Sequence, residues 1–166
     1  MRKKRSLREI WNEDKIVWFS IITIGVLFIP TGLIHEVGHI VVCVSNGFDY
    51  TLYTDSIAFN VQCSNSPRPI ELYWAMGGVF GIFASLPLLI IKKVRNEKGI
   101  LIGIVITGFD HLQKAVFETT AHLSYLSNPS LLMFMSVLSL ILLGGLLWHY
   151  GYRPYKKSQT KPKDTN

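Results

Sequence analysis

Apolar and polar positions divide the chain into four long apolar runs, at about 16–46, 72–91, 99–124 and 129–149, separated by polar stretches. A helix needs ~20 apolar residues to cross the hydrocarbon core of a bilayer. The last three runs fit one crossing each. The first is too long for one flat crossing, so its end should tilt, kink near Pro30 and Gly32, or project beyond the bilayer. The polar stretch after it, FDYTLYTDSIAFNVQCSNSPRP (48–69), is rich in β-branched and aromatic residues with partial alternation, and SNSPRP closes it as a turn signal. One or two short strands are predicted there. The pattern as a whole predicts an all-α integral membrane protein, a four-helix transmembrane bundle with a short β-like segment after the first helix. Within the second run, Gly77, Gly81 and Ser85 are spaced by four and offer a small surface for close helix packing. Pro87 should kink that helix.

Charge adds an orientation. Only 17% of the 166 residues are charged, against roughly 25% in soluble domains. The net charge is +6, and of the 17 Lys and Arg, six lie in residues 1–15, four in 92–98 and five in 153–163. Four crossings put all three basic clusters on one side, which the positive-inside rule makes cytoplasmic. The layout is then a basic cytoplasmic N-terminus (1–15), a transmembrane domain (16–150) and a basic, disordered cytoplasmic tail (151–166). The charge flanks membrane spans; no basic and aromatic residues interleave as a nucleic-acid groove requires, so no nucleic-acid partner is expected. The N-terminal run is not read as a cleavable signal peptide, because a fifteen-residue, mostly charged and polar stretch precedes it and no small-residue cleavage site follows. Trp18, Trp74 and Trp148, with Tyr73 and Tyr150, stand near span ends as an interfacial aromatic belt does. Cys43 and Cys63 are too few for a disulfide framework, and Cys43 reads as a small buried thiol.

Against this apolar background, LIHEVGHIV (33–41) places three ionisable groups in the first run. His35-Glu36-Val37-Gly38-His39 is an HExxH pattern. Positions i and i+4 share a helix face, so both imidazoles can reach one zinc ion, with one Zn2+ expected per chain. Glu36 stands beside them as a general base for a water whose pKa zinc lowers to ~7. Ionisable residues inside a membrane are costly and therefore point to function.

The residues IHEVGHIVVCVSNGF, with Gly47 closing the helix, followed by GGVFGIFASLP, resemble the site-2 protease family of intramembrane zinc metallopeptidases. The resemblance implies a β element after the HExxH helix, then a small-residue-rich helix, then a helix bearing an Asp ligand, an order traceable over about residues 16–124. The family's Asp-Gly ligand motif is absent here, and Phe109-Asp110-His111 occupies its place. The positive-inside rule also puts the site toward the non-cytoplasmic face, whereas that family opens to the cytoplasm.

A third ligand must come from the third run, whose His111, Lys114, Glu118 and His122 follow helical spacing and form one stripe toward the bundle interior. His35 and Glu118 each lie about 19 residues from the inner edges of their runs, roughly 28 Å deep at 1.5 Å per residue. Asp110 sits roughly 12 Å shallower and has Lys114 four residues on as an ion-pair partner. The segment ETTAH (118–122) also resembles the Glu-x-x-x-Asp pattern of other HExxH peptidases, whose Glu is a ligand. Glu118 is favoured, with Asp110 next and His111 or His122 behind. Two functions remain open on the residues alone. One is a membrane-embedded zinc metallopeptidase acting on membrane-anchored or membrane-proximal polypeptides, its substrate added as a strand along 51–63. The other is a non-proteolytic membrane protein that uses the metal or the polar stripe for assembly or for ion or proton transport.

Overall fold

The structure, a computed structural model, describes residues 7–55, 58–122 and 128–152. Helix α1 (Leu7–Ser45) leads into a hairpin of β1 (Tyr50–Asp55) and β2 (Ala58–Cys63), then α2 (Ile70–Ser85). A 3-10 turn (Leu86–Ile90), the short helix α3 (Lys92–Asn96), α4 (Lys98–Ala121) and α5 (Pro129–Leu147) follow, and a π-helical turn spans Trp148–Tyr152. Among the described residues, four stretches are long and apolar enough to cross a membrane: Asp14–Ser45, Ile70–Ile90, Lys98–Ala121 and Pro129–Gly151. The end of the third apolar run and the polar tail beyond residue 152 lie outside the described residues, as do residues 1–6.

Local sequence accounts for the boundaries. α1 runs through Pro30 as one helix of 39 residues, roughly 58 Å at 1.5 Å per residue, well over the ~30 Å thickness of a hydrocarbon layer. It ends in a left-handed glycine cap. Gly47 has φ +75°, its N–H donates to the Val44 carbonyl at 2.9 Å, and the Phe48 N–H donates to that of Cys43 at 3.0 Å. α2 gives way to the tighter turn where Pro87 removes a backbone donor. α5 opens at Asn128, whose side chain accepts from the N–H of Ser130 at 3.0 Å, with Pro129 in the first turn.

The core is built from α1, α2 and α4, and small residues let them approach. A methyl group on Gly38 would overlap the Met76 backbone carbonyl of α2, and one on Gly78 would overlap Ala115 of α4. Gly99 and Gly103 of α4 pack in the same way on Ile16, Phe19 and Thr23 of α1. From Thr31 onward, the buried face of α1 is Thr31, His35, Glu36, Gly38, His39, Val42 and Cys43, a helical stripe. The opposite face exposes Ile29, Leu33, Val37, Val41 and Val44. Polar and small groups are inside and large apolar groups outside, the reverse of a water-soluble helix.

The hairpin is antiparallel, pairing Tyr50 with Cys63 and Leu52 with Val61. It sits on the end of α1 through a buried cluster of Val42, Cys43, Val61 and Tyr73. The reading of Cys43 as a small buried thiol is corrected here. Cys43 and Cys63 form a disulfide, because the hairpin returns the end of β2 to α1 with the two Cα atoms 5.5 Å apart. The aromatic belt is also narrower than expected. Trp18 and Trp148 are exposed, while Tyr73 is buried and Trp74 packs edge-on against it, ring centroids 4.9 Å apart.

Candidate metal centre

Two helices supply the donors. His35 and His39, one turn apart on the buried stripe of α1, bring their Nε2 atoms to 3.2 Å from each other. Glu118, near the end of α4, places Oε1 3.3 Å from His35 Nε2 and Oε2 3.6 Å from His39 Nε2. All three side chains are buried, and one donor atom from each lies within 4.8 Å of the others. This group could bind a metal ion; among the described residues no other group of three His, Cys, Asp or Glu converges so closely.

The surroundings orient the donors. His39 Nδ1 lies 2.8 Å from the Tyr73 carbonyl. A carbonyl only accepts, so Nδ1 carries the hydrogen and Nε2 keeps its lone pair for an electrophile. Tyr73 also donates its hydroxyl to the Val61 carbonyl at 2.7 Å, so one residue of α2 fixes both His39 and β2. His35 Nδ1 is buried without a hydrogen-bond partner among the described residues. Two imidazole nitrogens and a carboxylate turned toward one another, away from water, suit a cation at their centre.

Glu36 is buried beside the group, with Oε1 3.9 Å from His35 Nε2. It faces a cavity of about 450 Å³ that also touches Tyr53 and Asn60 of the hairpin and Lys114 of α4. Asp110 and Lys114 are paired at 3.0 Å along the same helix, partly open to that cavity. The other expected positions separate. His111 is buried with its ring 5.5 Å from that of His35, outside the three-donor group. His122 does not continue the interior stripe. α4 ends at Ala121, and His122, at φ +49°, turns outward and is exposed, its ring 5.5 Å from Trp74.

Three contributors are not legible as such in the sequence. Tyr73 acts on His39 through a backbone carbonyl, which no side-chain pattern reveals. Gln113 donates to Ser139 Oγ at 2.8 Å and links α4 to α5. Gly77 reads as a packing residue, but its neighbours are the imidazoles themselves. Compared with protein-family models, with curated proteins and with solved structures, the chain matches none.

Proposed function

We propose that this chain is a multi-pass membrane zinc metallopeptidase that hydrolyses peptide bonds of membrane-anchored or membrane-proximal polypeptides. The observation that carries the proposal is the convergence of His35, His39 and Glu118 with a buried carboxylate, Glu36, beside them. Two imidazoles and one carboxylate form a three-ligand set that leaves a coordination position open, as catalytic zinc requires. Zinc held there supplies Lewis acidity for a scissile carbonyl and acidifies water.

The residues of the chain do the rest. Glu36 accepts the proton of the attacking water and returns it to the leaving nitrogen. Tyr73 holds His39 in the donor tautomer. The hairpin edge beside the cavity gives an extended substrate segment a strand to pair with. A site reached through a protein-lined cavity is also compatible with irregular or charged groups at membrane depth.

The proposed orientation has both termini in the cytoplasm and the hairpin outside. Two independent features support it: the three basic clusters and the Cys43–Cys63 disulfide, a bond that persists in oxidising compartments. The likeness to site-2 proteases belongs to this reading and rests on residues 33–47 and the glycine-rich second helix. The Asp110–Lys114 pair in the cavity is what a proton-transport reading would use instead. Purified protein is expected to contain about one zinc per chain. Glu36→Gln should keep that zinc and lose proteolysis, because an amide cannot take up the proton. Wild-type cleavage by this variant would remove the assigned mechanism, and zinc-free wild type would remove the metal.

A further inference from the structure

Helix α2 contains glycine at positions 77, 78 and 81, each of which lowers helix propensity by about 1 kcal/mol relative to alanine. The added Cβ meets a different obstacle at each. At Gly78 it meets the backbone and Cβ of Ala115, an obstacle of helix packing. At Gly81 the three nearest atoms all belong to the ring of His111, which is outside the three-donor group. At Gly77 it meets His39 Nε2 and stands 2.6 Å from His35 Nε2, the two donor atoms of the candidate centre, and the three atoms nearest to it all belong to those two rings.

We infer that Gly77 is a positioning residue of the metal centre: its missing side chain lets both imidazole donors converge against α2. This inference rests on the reading of His35, His39 and Glu118 as a metal site. A single methyl group at position 77 displaces both Nε2 atoms at once. The obstacles are the far ends of two side chains, which rotate about their χ angles far more readily than backbone moves. An alanine is therefore accommodated by swinging the rings aside, with the helices still in place. What is lost is the donor geometry. Gly38 is the opposite case, because a methyl group there meets the Met76 backbone and the helices themselves must part.

The test is to strip metal from the detergent-solubilised full chain, titrate it with Zn2+ and separately with Co2+, and measure stoichiometry, affinity and the Co2+ visible spectrum. Gly77→Ala, with His35, Glu36, His39 and Glu118 intact, should bind Zn2+ on the order of 100-fold more weakly or not at all. It should also lose the visible bands of four-coordinate Co2+. Its metal-free form should unfold close to the wild-type temperature and keep the Cys43–Cys63 bond. Gly81→Ala, whose methyl group is nearest the His111 ring, should bind Zn2+ as the wild type does. Wild-type affinity and spectrum in Gly77→Ala overturn the inference while leaving the metal site standing. Equal losses in Gly77→Ala and Gly81→Ala also overturn it, because they trace the effect to α2 packing in general. A wild-type chain that binds neither ion removes the metal reading itself, and this inference with it.

Discussion

α4 and α5 are both apolar helices of membrane-spanning length, yet they meet the rest of the chain differently. α4 buries Gly99, Ile102, Gly103, Ile104, Ile106, Thr107, Gly108, His111, Gln113 and Glu118. α5 buries Met135 alone among its residues, and Met133, Leu140 and Ile141 are exposed. α5 is the more apolar by sequence, so apolarity does not decide which helix is central. In lipid there is no hydrophobic gain in leaving one hydrocarbon for another, and close approach and polar contacts decide instead. α4 has glycines where α1 and α2 press on it and polar groups that face the site. α5 has Gly144 and Gly145 over open space, and Ser139 accepts a hydrogen bond from Gln113 of α4.

The sharpest way to break this comparison is to remove a polar group from each part of α4. Glu118→Ala should lose zinc and proteolysis together, since the two remaining imidazoles cannot replace a charged ligand. Asp110→Ala should keep zinc, because Asp110 is committed to Lys114. Metal analysis of the two purified variants decides it. Zinc lost with Asp110→Ala and kept with Glu118→Ala would reverse the ligand assignment.

The proximity of Glu118 to the two histidines is legible in the sequence because helical rise is constant. Counting residues from the span edges puts His35 and Glu118 at one depth, and their side chains lie 3.3 Å apart. Local rules of that kind also reach the Gly47 cap and the break at Pro87. They fail where the chain must return on itself. Cys43 and Cys63 are 20 residues apart, and only the antiparallel return of β2 makes them neighbours. They fail again at His122, since helical spacing continues the stripe while α4 itself stops one residue earlier. Tyr73 reads as a belt aromatic because its decisive contact is a carbonyl oxygen.

The disulfide links the site helix to the hairpin and should rank next in effect. A Cys43→Ser, Cys63→Ser double variant opens a loop of 20 residues, which the chain-entropy model values at about 3 kcal/mol. Its thermal unfolding in detergent should fall clearly below the wild type, with zinc content retained if the cystine only anchors the hairpin. An unchanged unfolding temperature would mean that Val42, Val61 and Tyr73 hold the hairpin without it.

Packing by small residues gives the next step down. Gly38→Ala forces α1 and α2 apart at the Met76 carbonyl, and overpacking of this kind destabilises by about 1–3 kcal/mol. Reduced thermal stability of the metal-free protein is the expected readout. A variant as stable as the wild type would show that α1 slides past α2 without strain, and that the glycine contact is not what centres these helices.

The smallest effect belongs to α5 and completes the comparison. A methyl group on Gly144 or on Gly145 has nothing within 4 Å to meet. Each glycine nevertheless carries the backbone entropy penalty of its residue type, roughly 0.5–1 kcal/mol relative to alanine in a helix. Gly144→Ala and Gly145→Ala should therefore leave stability unchanged or raise it by up to that amount. Zinc content should not move, because α5 contributes no donor to the centre. The same substitution type would then lower stability at Gly38, remove metal at Gly77 and do neither on α5. Substantial destabilisation by Gly144→Ala, measured beside Gly38→Ala in the same detergent, would contradict the picture of α5 as a lipid-facing helix. It would show instead that this face packs closely against another helix in the assembled protein, and size-exclusion chromatography of the variant against the wild type would reveal whether that helix belongs to a second copy.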